Sequence, residues 1–323
     1  MFKNREGNYP FQYFIPVYHS VSDEPLPHLK HIIRYKNIKA FEQDLEQMLK
    51  RFNFVDWDFF VQNYQRSPQG RPLALMTFDD GLVEFKEVVA PILERKGIYA
   101  VNFVNPQFIV EKEMMFRYKV SLIVEHIISQ PQDFERYRVE CSSILNLRMT
   151  SLKQLIKILL SLKYQQKNEI SVIAERLGLD LKSYMKRQPI YMDLEDLKNL
   201  SQRGFGVAAH SWSHPLYRDL SLEEQLETTQ RSLDFIREHQ FLDAAFAFPF
   251  SDDGVSLDFF NQIFDANPRL KLTFGISGLK LDDYPKNLHR IPIELGYSAQ
   301  QELNFESHYY RLKSYFSKNQ LKR

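Results

Sequence analysis

Six short apolar runs, at residues 14–19, 73–78, 98–104, 205–210, 244–250 and 272–277, constrain this chain more than any other feature. Each is six or seven residues long, the length of a buried strand rather than of a typical helix. Helical patterns lie between several of them. Phe41, Leu45, Met48, Leu49 and Phe52 fall on one helical face. Ser221 and Glu224 have capping-box spacing ahead of Leu226, Leu233 and Ile236. Asp193 can cap a helix through Leu194, Leu197 and Leu200 that Gly204 stops. Strands alternating with helices predict an α/β fold around a parallel sheet.

Residues 109–187 break this rhythm. Val120, Ile123, Val124, Ile127 and Ile128 recur at helical spacing, as do Leu152, Leu155, Ile156, Leu159 and Leu160. A third helix is expected over Ile170, Ile173, Ala174 and Leu177, with Gly178 behind it. The reading is one domain over 1–323 with a helical insertion at 109–187, its stripes serving as packing faces. The insertion follows the 98–104 strand, so a lid or specificity wall at the mouth of the fold is the expectation. The polar, aromatic tail after Glu302 reads as a final helix.

A net charge of +1 supplies no bulk attraction for nucleic acid or an anionic membrane. Cys141 is the only cysteine, which excludes an internal disulfide and fits a reducing compartment. The first twenty residues carry no uninterrupted apolar stretch of the kind a signal peptide needs. No run approaches the roughly 18 apolar residues of a membrane span. These features predict a cytoplasmic protein without a membrane span.

Three strand ends carry the chemistry. TFDDG at 77–81 follows the apolar run at 73–76 and sets two carboxylates side by side. Asp-Gly is a turn signal, but two adjacent like charges at a strand end also suit metal binding by one and proton transfer by the other. HSWSHP at 210–215 places two histidines four apart, and one helical turn would point both the same way. Strand C-termini converge on one face of a parallel α/β core. A carboxylate and two imidazoles meeting there make three protein ligands with a position left open, as in catalytic zinc sites. FAFPFSDDG at 246–254 supplies a third strand end, with Pro249 shaping the loop at Phe250. Asp252 and Asp253 read as an ordinary turn.

Taken in this order, TFDDG, HSWSHP and FAFPF resemble the first three motifs of the polysaccharide deacetylases, carbohydrate esterase family four. PVYHS at 16–20 resembles that family's opening strand, and residues 192–215 resemble its helix–strand–metal segment. The resemblance covers about 14–99 and 191–295 and leaves out the insertion. It implies a distorted (β/α) barrel of about seven strands, the NodB-like fold. It further implies Asp80, His210 and His214 as ligands of a divalent metal, Asp79 as catalytic base and the Phe250 N–H as oxyanion donor. Zinc suits one oxygen and two nitrogen ligands, and cobalt, nickel or manganese could substitute. The implied reaction removes acetyl groups from N-acetylated amino sugars, so the expected partner is a carbohydrate.

The chain departs from the pattern twice. Ala247 stands where many members carry an arginine that orients the base, which leaves Arg290, or nothing, to orient Asp79. The late histidine that serves as general acid in many members has His289, in NLHRIPIE, as its candidate here, while His19, after Tyr18, could instead line the site. Hydrolysis of an amide needs an activated water and a stabilised oxyanion, both of which a divalent ion can supply. Two other readings stay open: a non-catalytic sugar-binding relative, suggested by the absent arginine, and hydrolysis of another non-peptide C–N bond.

Overall fold

The computed structural model describes residues 9–66 and 70–323; the first eight residues, part of the stretch read for a signal peptide, lie outside it. Each of the six apolar runs contains a strand of one parallel sheet. These are β1 (Pro16–Tyr18), β2 (Met76–Phe78), β3 (Ala100–Val104), β4 (Gly206–Ala209), β5 (Ala245–Ala247) and β6 (Leu272–Gly275). Two further pieces, β7 (Asn287–His289) and β8 (Ile291–Pro292), flank Arg290. The sheet order is β7-β6-β5-β4-β3-β2-β1-β8. Its two edges are therefore neighbours in sequence. The Arg290 N–H donates to Gly275 on one side at 3.0 Å, and the Ile291 N–H donates to Ile15 on the other at 2.9 Å. One bent strand thus joins both edges and closes a distorted (β/α) barrel of seven strands, which removes the exposed sheet edges.

Strand alternation sorts the side chains. Val101, Phe103, Ala208, Ala245, Ala247, Phe274 and Leu288 cluster inside the barrel. Met76, Phe78, Val104, Val207, Phe246 and Phe248 belong to the outer core, packed under the surrounding helices. Three alanines among the inner residues leave room for the rings of Phe103 and Phe274 and for the guanidinium of Arg290, which lies 5.3 Å over Phe103. At the strand N-termini, Trp57 from the Trp57–Asn63 helix packs edge-on against Phe274 and belongs to the same inner cluster.

The helices begin where their capping residues stand. Asn37 caps Ile38–Arg51, Asp193 with Asp196 caps Leu194–Gln202, Ser221 with Glu224 caps Leu222–Glu238, and Ser298 with Gln301 caps Ala299–Tyr315. Each cap contributes about 0.5–2 kcal/mol by satisfying an otherwise orphaned N–H. Gly204 ends its helix at φ 92°, a backbone setting that other residues resist.

Between β3 and β4 run Pro106–Val110, Phe116–Ser129, Phe134–Leu145, Leu152–Ser161, Lys167–Arg176 and Leu181–Arg187. Three of these coincide with the apolar stripes. Phe134–Leu145 buries only Tyr137 and Cys141, so it has no stripe for periodicity to detect. The group has a core of its own around Ile123, Val124, Ile127, Leu155, Leu159, Ile170 and Ile173, and Leu82, next to the TFDDG loop, packs into it. Among the described residues no helix is long and apolar enough to cross a membrane.

Candidate active site

The C-terminal ends of β2, β4 and β5 meet at one mouth of the barrel, and the three motif loops lie there. Their convergence requires unusual backbone. Asp80, Ser211, His214 and Phe250 all have positive φ, between 55° and 73°. Each such non-glycine residue costs of order 1–3 kcal/mol and persists only where surrounding structure over-determines it. The TFDDG turn also needs Gly81, at φ 66° with the Val104 side chain 3.0 Å from where a Cβ would stand.

HSWSHP is not the helical turn its spacing suggested. It leaves β4 as a loop bent at Ser211 and His214, and those bends bring the two imidazoles together, ring centres 5.0 Å apart. Neighbours hold the loop in shape. Asn105, at the end of β3, donates through Nδ2 to the carbonyls of His210 and Ser211. The His214 N–H donates to Ser211 Oγ at 3.1 Å, and Tyr164 is hydrogen-bonded to Ser213 at 2.8 Å.

Asp80 Oδ1 lies 3.1 Å from His214 Nε2 and 3.6 Å from His210 Nε2. Asp80, His210 and His214 are all buried. His210 Nδ1 sits 2.8 Å from the Ala247 carbonyl, which can only accept, so Nδ1 carries the hydrogen and Nε2 turns a lone pair toward Asp80. Burial lowers the His210 pKa to about 4, which keeps that imidazole neutral. Asp80 Oδ1 has no hydrogen-bond partner. The His210 Nε2 lone pair and Asp80 Oδ1 therefore face one another in a buried space beside His214, an arrangement that a cation relieves. The residues present fit a divalent ion of the zinc type, with two nitrogens and one oxygen within 4.8 Å of one another.

The other Asp80 oxygen is held by a residue with no sequence signal. The Tyr118 hydroxyl donates to Oδ2 at 2.5 Å from the first turn of Phe116–Ser129. Helices 106–187 thus lie at the motif end of the barrel. Phe116 from the same turn meets Phe250, whose ring stands edge-on 4.4 Å from that of His214.

Asp79 is differently bound. Arg290 NH1 and NH2 reach its two oxygens at 2.6 and 2.8 Å, a bidentate fork from the strand that closes the barrel. Burial alone would raise the Asp79 pKa, but the Arg290 guanidinium outweighs it and holds the carboxyl below its ordinary value. Arg290 is thus the partner of Asp79, the alternative left open by Ala247. The Phe250 N–H has no acceptor among the described residues.

His289 is not brought to this site. Leu288 and Arg290 point into the barrel, so His289 points out, where Nε2 is 2.9 Å from Asp282 and Nδ1 is 3.9 Å from Asp252. Asp252 is no simple turn residue either. It is fully buried and paired with Asn287 and Arg323. The histidine near the site is His19, whose Nδ1 is 2.8 Å from Glu294. Burial disfavours its charge, but Glu294 and then Asp80 and Asp79 raise its pKa to about 9. Glu294 also accepts from the N–H groups of His19 and Ser20. Its position in NLHRIPIE was visible, but its partner 275 residues away was not.

No protein-family model matches the sequence, and no curated protein matches it. Solved structures do match in shape. The deacetylase PplD of Streptococcus pyogenes, in complex with acetate, superposes with a TM-score of 0.55 at 16% identity, covering 90% of this chain and 96% of its own. IcaB from Ammonifex degensii gives 0.53 at 15% identity, over 92% and 97%. A de-N-acetylase from Aggregatibacter actinomycetemcomitans gives 0.50 at 12% identity, over 90% and 99%. A seven-stranded barrel that also shares its overall course with these enzymes over nine-tenths of its length has the polysaccharide-deacetylase fold.

Proposed function

We propose that this protein is a metal-dependent hydrolase that removes the acetyl group from an N-acetylated amino sugar of a glycan. The observation that carries the reading is the division of labour between adjacent aspartates. Asp80 turns an unpartnered oxygen to two imidazole nitrogens, while both oxygens of Asp79 are held by Arg290, with Oδ2 3.7 Å from His210 Nε2. Asp80, His210 and His214 would hold the ion, with zinc the best match to the donors. Bound there, the ion would supply Lewis acidity toward water and carbonyl.

The chain's own groups do the rest. Asp79, ionised at neutral pH, accepts the proton of the attacking water. The Arg290 fork fixes the plane of that carboxylate and leaves each oxygen a further lone pair. The Phe250 N–H, without an acceptor among the described residues, would donate to the developing oxyanion, worth about 2.7–4 kcal/mol when aligned. His19, protonated near neutrality and partly exposed, gives its proton to the departing amine in place of His289. The bidentate Arg290 weakens the reason for a non-catalytic reading. We take the chain as one catalytic domain whose helices 106–187 form a wall of the site, and we place it in the cytoplasm on its lone buried thiol.

Acetate release from a panel of N-acetylated oligosaccharides, with metal-loaded protein beside Asp79→Asn, tests the reading. Metal-dependent release that collapses in the variant while the metal stays bound supports it. No release from any N-acetylated sugar under any metal loading defeats it.

A further inference from the structure

A cleft of about 350 Å³ opens beside Phe250, at the lower end of the size range of ligand sites. Phe116, Arg117, Lys163 and Tyr164 line it from the helical side, and Arg218 and Phe250 from the barrel loops. Phe250 also stands over the His214 ring, so one wall of the cleft is the aromatic layer covering the proposed metal ligands. The lining has three cations and one acid, Asp219, in a chain whose net charge is only +1.

The three cations are not equivalent. Lys163 reaches Asp219 at 3.7 Å and Arg218 reaches Asp253 at 3.3 Å, in exposed pairs that water screens. Arg117 has no carboxylate within ion-pair distance among the described residues. Its hydrogen bond is from NH1 to the Leu160 carbonyl at 2.6 Å. A guanidinium has five N–H donors, so most of its bonding capacity is unspent in a half-buried place. Leaving a cation so poorly matched costs folding free energy, and an anion that forks onto it offsets that cost. Behind the Phe116 and Tyr164 rings a second cavity of about 270 Å³ carries Lys119 and Lys167 against the single acid Glu113. The positive character therefore continues past the aromatic wall.

We propose that the cleft beside Phe250 is a subsite for an anionic substituent, a phosphate ester or a carboxylate, on the glycan next to the acetamido sugar. Arg117 is its specificity-determining residue, with Lys163 and Arg218 at the rim. The proposal takes the position of the sugar from the deacetylase reading, but the binding it claims is measurable without turnover.

Three N-acetylated tetrasaccharides test it: one neutral, one with a single phosphate ester and one with a single uronate. Binding to the metal-loaded protein is measured by calorimetry at low and high salt, with acetate release followed in parallel. At least one charged ligand binds about tenfold tighter than the neutral one, and salt erodes the advantage. Arg117→Gln cuts the charged-to-neutral ratio about tenfold, and Arg117→Lys retains part of it because the point charge survives without the fork. Whichever charged ligand gains more identifies the substituent. If Arg117→Gln fails to fold, the double variant Lys163→Gln, Arg218→Gln must lower the same ratio. Equal binding of neutral and charged ligands, or a charge preference that these variants leave intact, overturns the subsite. Arg117-dependent binding without acetate release leaves the subsite standing and defeats the deacetylase reading. Equal acetate release and equal binding from all three ligands do the reverse.

Discussion

Two buried clusters in this protein have nearly the same composition and opposite chemistry. At the barrel mouth stand Asp79, Asp80, His210, His214 and Arg290; on the outer face stand Asp252, Asp282, His289 and Arg323. Each brings three Asp or His ligand atoms within 4.8 Å of one another. The difference lies in where the arginine goes. Arg290 spends both amino groups on one carboxylate, Asp79, and leaves Asp80 Oδ1 facing imidazoles. Arg323 instead bridges Asp252 and Asp282, and Asn287 donates to both. In the outer cluster the guanidinium already occupies the place a metal would take. In the inner one that place is left to something else. Residue type and proximity do not make a metal site, and neither does an unspent acceptor, since Asp252 Oδ1 and His289 Nδ1 also lack partners; what separates the clusters is the cation already seated between the outer carboxylates.

Substitutions in the two clusters should therefore separate sharply. The largest effect belongs to His214→Ala, which removes half the imidazole pair; stoichiometric metal and turnover should both be lost, by metal analysis and acetate release. Unchanged metal affinity would break the comparison at its root. Asp79→Asn comes next. It should lower turnover by about 10²–10⁴-fold with metal retained, since general base help is worth that much and Asp80 is the proposed ligand.

His19→Gln should cost about 10²-fold and remove an alkaline limb from the pH profile. The raised pKa of about 9 means that the acid form is present below that pH and lost above it. A bound cation, by offsetting the charges of Asp79 and Asp80, moves that limb lower. The stability His19 gains from Glu294 follows the same sign, complete below its ordinary pKa and lost as pH rises through about 9. Asp79 runs the other way. Its Arg290 pair stabilises the fold above the ordinary carboxylate range, and that contribution is lost as acid reaches the depressed pKa.

Tyr118→Phe is gentler. Losing a hydrogen bond to a ligating carboxylate should weaken metal affinity by about 10–100-fold, read by competition with a chelator. The smallest effect on turnover belongs to His289→Ala. It should leave metal content and kcat close to wild type while lowering unfolding free energy by about 1–3 kcal/mol, because Asp282 loses a buried partner. A collapse of turnover with the fold intact would return His289 to the general-acid role.

What was legible in the sequence is what short-range physics writes there. Apolar runs of strand length marked six of the seven barrel strands, and capping residues marked the starts of the surrounding helices. Three motif loops at three strand ends named the residues that the parallel sheet later gathered. The seventh strand escaped because its chemistry hides its period. Asn287, His289 and Arg290 interrupt any apolar pattern, yet the strand closes the barrel and carries Arg290 inward.

Only the tertiary structure could choose between neighbours on that strand. With a period of two, a register shift of one residue would exchange His289 and Arg290 between the outer face and the site. The pairing of β7 with β6 and β8 with β1 made that choice. It set Arg290 on Asp79, 211 residues away in sequence, and sent His289 to Asp282. Tyr118 on Asp80 and Arg117 in the cleft arose in the same way, from how helices 106–187 dock on the barrel. Sequence alone determined the strand positions, the caps and the residue types at the strand ends, because each is decided within a few residues. The orientation of Asp79, the bonding of Asp80 and the shape of the cleft depend on faces and registers, which exist only once distant segments pack.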